Sequence, residues 1–306
     1  MGAEAPIGYH MTAERQVGPT LLLHGTERQR AEMIPRILQA EVSFALGLSE
    51  PGAGSDLAGV STRAVRDGDE YVVNGQKIWT SGAHRSDMIW LVTRTDPDAP
   101  KHKGISLLMV DLKSPGVSIR PLINMAGMHG FNEVFFEDVR VPVDARVGDE
   151  NAGWYLLAEH LDFERLGIER IVTARQLFEE AVAYVKALPH DAEARQRARR
   201  LMPDLAIELE IGRLLAYRVA WQQSQGLVPN YEASMSKLFG TEWQQRMAQA
   251  AIRIAGLAAG AVDETDPFLA RVQHQYLTSV SMTIAGGTSE IQRNIMATRG
   301  LGLPRS

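Results

Sequence analysis

The sequence contains no cysteine. Disulfides, zinc–thiolate sites and thiol nucleophiles are therefore excluded, and the composition suits a reducing, cytoplasmic setting. It also has no strongly basic stretch, and its formal net charge is −5; nucleic acid is not an expected partner. No apolar run reaches the roughly 18 residues that a membrane span requires, so no membrane insertion is expected. The opening MGAEAPIGYHMTAERQ lacks the basic cap and apolar stretch of a signal peptide. No internal repeat or low-complexity tract is present, and no metal site is expected.

What is present is an ordinary globular composition over 306 residues, 45% hydrophobic and 23% charged, which is long enough for two compact domains. Residues 18–38 read as a helix. Thr26-x-x-Gln29 forms a capping box, Glu27 suits the first turn, and Pro35 ends or bends the helix. From about residue 41 to 147 the pattern becomes short β-branched and aromatic segments punctuated by Gly, Pro, Asn and Asp: SFALGLS, TRAV, EYVVNGQKIWTS, MIWLVTRTD, ISLLMVDL, VSIRPL and EVFFEDVRVP. These predict an antiparallel β barrel or sandwich, with Asn74-Gly75 as a hairpin turn. From Ala152 the spacing of apolar residues becomes helical. One long stretch runs to Pro189, and further helices are expected at 191–225, 231–259 and 289–299, which together imply a bundle. The fold class is α+β: a residual N-terminal helical segment (1–40), a β domain (41–150) and a C-terminal helical bundle (151–306).

Three segments carry chemistry. Leu48–Asp56, LSEPGAGSD, combines two glycines and a proline with Ser49, Ser55 and Asp56. It predicts a tight loop whose N–H groups can approach a cofactor or bind anionic oxygens, although an ordinary hairpin loop has the same composition. In Lys77–His84, KIWTSGAH, Trp79 is followed by the hydroxyls of Thr80 and Ser81. An indole beside hydrogen-bonding groups can pack on a flat ring system, and a core tryptophan at a strand end reads the same way. In Ala285–Asn294, AGGTSEIQRN, Gly286 and Gly287 precede a helix whose Ser289-x-x-Gln292 reads as a capping box. Its free N–H groups suit a phosphate or ribityl chain; a plain glycine linker is the alternative.

Together these segments, in this order, with DEYVVNGQKIW and NEVFFEDVRVP, resemble the acyl-CoA dehydrogenase family over about Gly18–Leu303. The resemblance implies FAD held between a β domain and a helical bundle, an acyl-CoA substrate, and an electron-transfer flavoprotein or similar acceptor. It also implies a homo- or hetero-oligomer, dimer or tetramer. By similarity, Leu48, Ser49, Gly54 and Ser55 line the flavin or the thioester end of the substrate. Trp79, Thr80 and Ser81 flank the isoalloxazine, and Thr288 and Glu290 lie by the ribityl-phosphate. Asp162 and Arg165 lie near the pantetheine, with Ser55, Gly286 and Gly287 also toward the substrate. The reaction implied is α,β-desaturation of an acyl-CoA.

The sequence departs from the family at several points. Many members carry the catalytic Glu where this chain has Gly286; members like isovaleryl-CoA dehydrogenase carry it before an arginine on the first bundle helix. The matching residues here are Glu164-Arg165, so Glu164 is the candidate base. The Arg-x-x-Phe-Gly motif that reaches a neighbour's FAD has no counterpart in ALPHDAEARQRARRLMPD. Gln-x-x-Gly-Gly-x-Gly appears as Arg253-Ile254-Ala255-Gly256-Leu257-Ala258-Ala259. Only 47 residues precede Leu48, where the family has a longer helical domain. Three readings stay open: an active dehydrogenase in a heteromer, a non-catalytic structural subunit, and a fold relative repurposed for another reaction.

Overall fold

The computed structural model describes residues 11–164, 168–256 and 266–304. The chain forms two compact units that divide between Glu164 and Arg165, and each is described by itself.

In the first unit, the helix expected over 18–38 is two helices. α1 (Gly18–His24) follows a π-helical turn at Ala13–Val17, and α2 spans Glu27–Leu38. Gly25 is extended and breaks the run. Thr26 then caps α2 as the sequence predicts: its hydroxyl accepts from Gln29 N at 3.1 Å and its own N–H donates to Gln29 Oε1 at 3.0 Å. Pro35 sits inside α2, which runs on to Leu38 before Ala40 turns left-handed at φ 56°.

Among the described residues eight strands follow: β1 (Phe44–Gly47), β2 (Arg63–Asp67), β3 (Glu70–Lys77), β4 (Met88–Arg94), β5 (Ile105–Asp111), β6 (Val117–Ile123), β7 (His129–Pro142) and β8 (Arg146–Val147). They pair in the order β6-β7-β3-β2-β4-β5-β8, with β1 added to β4. The pairings are antiparallel except β1–β4 and the short β2–β4 contact, so the sheet is mixed rather than purely antiparallel. β4 and β5 are apolar on both faces. Trp90, Val92, Leu107 and Met109 join a core with Val17, Leu21 and Ile37 of the N-terminal helices and Leu157 of α3 (Gly153–Glu164). Ile89, Leu91, Leu108 and Val110 point into a second core with Tyr71, Val73, Val134 and Phe136. Successive side chains go to opposite faces, and both faces are covered; hence MIWLV and LLMV read as unbroken apolar runs.

One expected turn is corrected. Asn74-Gly75 does not close a hairpin: β2 and β3 are joined at Asp67–Glu70, where Gly68 takes φ 63°. Asn74-Gly75 instead lies within β3, where the register against β7 shifts. Asn74 trades side-chain hydrogen bonds with Asp138 Oδ1 (2.9 Å) and Asp138 N (3.0 Å) across this bulge. Two Xaa-Gly pairs stood seven residues apart, and the strand lengths select the first as the turn.

The second unit is a helical bundle: α4 (Ile168–Ala187), α5 (Glu193–Ser224), α6 (Tyr231–Ala255), α7 (Pro267–Met282) and α8 (Ser289–Ile295). α7 is absent from the sequence expectation, although Asp266-Pro267 marks its start. The Asp266 carboxylate accepts from Phe268 N and Leu269 N, and proline occupies the first turn, where no N–H is needed. α6 is the central helix, burying Trp243, Met247, Ala248 and Ala251 against α4, α5 and α7; Trp243 Nε1 donates to Leu205 O at 3.1 Å. Among the described residues no helix is long and apolar enough to cross a membrane.

Candidate functional site

In the first unit, the loop after β1 is closed by reciprocal hydrogen bonds between Glu50 and Ala53, N to O at 2.9 and 3.0 Å. Gly52 and Gly54 face open space, and Gly54, Ser55 and Asp56 are exposed. Asp56 pairs with Lys101. The loop is fastened to the end of β3 twice: Ser49 O accepts from Ile78 N at 2.9 Å, and Lys77 Nζ donates to Leu48 O at 3.0 Å. Leu48 and Ser49 are thereby brought to the edge that carries Trp79 and Ser81.

Trp79 has φ 60°, in the left-handed region that a bulky side chain rarely adopts, and its side chain is 59% exposed. It meets Phe131 edge-on, with centroids 6.1 Å apart. The next residue turns inward. Thr80 is buried, its peptide held on both sides by Asn132 (Thr80 N to Asn132 O, 3.0 Å; Asn132 Nδ2 to Thr80 O, 2.9 Å), and its Oγ1 has no partner. Ser81 is exposed again. Asn132 also meets the stacked pair His84 and His129, whose ring centroids are 3.8 Å apart. Burial first, and then the His129 and Arg85 charges, hold His84 below its ordinary value despite the Asn132 contact.

Behind this edge lies an ion pair that sequence reasoning missed. Lys77 and Glu50 are both buried, with Nζ to Oε1 at 2.8 Å. The Glu50 carboxylate also accepts from Ser61 N (2.7 Å), Ser61 Oγ (2.7 Å) and Thr62 N (2.9 Å). Burial alone would raise its pKa, but the Lys77 charge and these hydrogen bonds hold it at about 2; burial brings Lys77 down to about 8 against the pull of Glu50. Both residues stood inside the quoted motifs, and the available signal was a lysine at a core-facing strand position.

The sign of the acid limb follows. Glu50 titrates near 2 when folded against an ordinary 4.5, so its stabilisation is complete above pH 4.5 and is lost as pH falls toward 2. The loss should reach roughly 3 kcal/mol. Urea unfolding at stepped pH should show this limb in the wild type and a flatter one in Lys77→Met/Glu50→Gln.

In the second unit, Gly286 and Gly287 take φ 66° and 90°. The helix cap is Thr288, one residue earlier than expected: its Oγ1 accepts from Ile291 N at 3.2 Å. Gln292 does not complete a capping box. Its Nε2 donates to Gly286 O (2.9 Å) and Gly287 O (3.2 Å), and buried Lys237 donates to Gly287 O at 2.7 Å. Thr288 and Glu290 line a groove of about 380 Å³ between α6 and the α7–α8 turn. A backbone N–H first, then the Thr288 hydroxyl, hold the Glu290 carboxyl below its ordinary range. The α3 backbone carries Asp162 and Glu164; their side chains, and Arg165 as a whole, lie outside the described residues.

Comparison with known proteins places both units in one family. Residues 45–139 match the model of the acyl-CoA dehydrogenase middle domain, and residues 151–301 match that of the acyl-CoA dehydrogenase C-terminal domain. The chain belongs to the acyl-CoA dehydrogenase family. Acyl-CoA dehydrogenase FadE29 of Mycobacterium tuberculosis is 40% identical over 299 residues, covering 94% of this chain and 75% of its own length. The ChsE4-ChsE5 complex from Mycobacterium tuberculosis matches with TM-score 0.87 and 35% identity over 100% of this chain and 79% of its own. The Tcur3481-Tcur3483 steroid ACAD gives TM-score 0.87 and 37% identity, over 97% and 77%. The motifs at 48–56 and 77–84 thus fall in the family's middle domain, and that at 285–294 in its C-terminal domain.

Proposed function

We propose that this chain is a FAD-dependent acyl-CoA dehydrogenase that introduces an α,β double bond into an acyl-CoA, acting as one subunit of a heteromer. The observation that carries the reading is Trp79, a large indole left exposed on left-handed backbone beside Leu48, Ser49 and Ser81. Such strain costs about 1–3 kcal/mol and persists at sites that use it. An exposed aromatic face, an open glycine loop at 52–54 and the orphaned Thr80 hydroxyl suit a flat, polar-edged ring. We assign Leu48, Ser49, Gly54, Ser55 and Trp79–Ser81 to the flavin ring, and Thr288 and Glu290 to the ribityl-phosphate.

FAD, when bound, supplies the hydride acceptor. The protein has to remove the α proton, and Glu164 is the residue we assign to it. A carboxylate serves there only if desolvation raises its pKa toward that of the activated carbon. The heteromer is supported by the departures at 187–204 and 253–259 from the motifs that serve a neighbour's FAD, and by the two-protein complexes among the relatives. The acceptor we propose is an electron-transfer flavoprotein.

The test is flavin content after expression alone and with an adjacent-gene paralogue, then an acyl-CoA panel with an artificial electron acceptor. One relative is a steroid ACAD, so the panel should include a steroid-bearing acyl-CoA. Flavin absorbance with substrate-dependent bleaching is expected. Colourless protein of correct mass in both preparations would favour the non-catalytic subunit.

Trp79→Gly separates site from packing. Glycine relieves the left-handed backbone, worth roughly 1–2 kcal/mol, while an indole 59% exposed buries little. The melting temperature of flavin-free protein should hold or rise while FAD affinity falls. A large drop in melting temperature would instead make Trp79 a packing residue.

A further inference from the structure

We propose that Lys77 and Glu50 are positioning residues for the cofactor edge, with the Lys77 ammonium setting both how tightly flavin is held and how readily it is reduced. The inference rests on the FAD reading above and adds residues to it.

Lys77 is the last residue of β3, two before Trp79, and its side chain is 0% exposed. Its Nζ bonds Glu50 Oε1 at 2.8 Å and Leu48 O at 3.0 Å. Glu50 is anchored in turn by Ser61 and Thr62. The pair therefore ties the Leu48–Ser49 peptide, the 48–56 loop and the strand end bearing Trp79 to one fixed point. Holding these together does not require charge: a buried ion pair carries a desolvation penalty that a well-packed apolar pair avoids, often with no loss of stability.

What an apolar pair cannot do is place a full positive charge on a peptide carbonyl. The peptide is planar and trans, so with Leu48 C=O aimed at the ammonium, Ser49 N–H is directed the opposite way. A cation on the carbonyl polarises the whole unit and makes that N–H a stronger donor in a low-dielectric setting. Such a donor favours an electron-rich ring edge, and favours it more once the ring has gained electrons and negative charge. Removing the cation should weaken flavin binding and shift the reduction potential to a more negative value.

The experiment uses the full chain in whichever preparation carries flavin. Lys77→Met/Glu50→Gln removes both charges and keeps the volume; should it fail to fold, Lys77→Gln/Glu50→Gln, which keeps polar atoms on both side chains, replaces it. Folding is checked by circular dichroism and a cooperative melt. FAD affinity is read by fluorescence titration and potential by dye-coupled reduction. The expected result is a folded variant with FAD dissociation constant raised tenfold or more and a more negative potential, with Lys77→Arg returning both toward wild type. An unchanged potential, whether affinity holds or falls only with the melting temperature, would make the pair a structural staple and overturn the proposal. Wild-type protein without flavin in either preparation would overturn the FAD reading first and this inference with it, before any variant is made.

Discussion

Glu164→Gln, in protein that still binds FAD and acyl-CoA, should slow flavin reduction by the best substrate by roughly 10²–10⁴ while ligand binding is largely kept. The amide keeps the shape of the side chain and cannot accept the α proton. Gly286, at the other position where the family carries a base, has no side chain to replace it. Rapid-mixing reduction under anaerobic conditions gives the chemical step separately from product release. Survival of the rate within a few-fold would make Glu164 an ordinary helix residue and would shift weight to the reading in which the fold serves another reaction.

The second large effect concerns stability. Lys77→Met alone strands the Glu50 carboxylate, with its side chain 4% exposed, beside an apolar group. Breaking one partner of a buried pair costs about 3–5 kcal/mol, because the remaining charge is uncompensated. For a unit of this size the melting temperature should fall by roughly 6–20 °C. The added Glu50→Gln change should recover most of that loss, since a neutral amide tolerates burial far better than a carboxylate. Differential scanning calorimetry on the single and double variants decides it. A single variant that melts like wild type would mean water or a rearranged loop reaches Glu50, and the pair would then not be the fixed point that ties the 48–56 loop to the end of β3.

The local patterns that the sequence carries in full proved legible. Thr26 and Gln29 cap a helix because both halves of the box lie within one turn and need no partner from elsewhere. β1 to β7 were readable from β-branched segments, since each has its own alternation or its own buried run, whereas the two-residue β8 is too short to carry either. The family was readable because three short motifs keep their order along the chain. Where two local signals competed, the sequence could not choose: Asp67-Gly68 and Asn74-Gly75 are both good turns, and only pairing with β2 and β7 made one a hairpin and the other a bulge. α7 was lost for a different reason, since its start is marked by a single Asp-Pro cap after a glycine- and alanine-rich stretch.

Composition and residue order by themselves determined that this is a cysteine-free, β-then-helix chain, and three motifs kept in order carried its resemblance to the acyl-CoA dehydrogenase family. Tertiary structure alone decided that Lys77 and Glu50, 27 residues apart, meet in a buried pair under the Leu48 carbonyl. It alone decided that Trp79 is turned outward on left-handed backbone while Thr80 is turned in, and that Lys237 and Gln292 hold the carbonyls of Gly286 and Gly287. The physical reason is that capping and strand alternation are short-range and written in neighbouring residues. A charge is stabilised inside a protein only by groups that folding brings from elsewhere in the chain, and those partners leave no mark on the residues beside it.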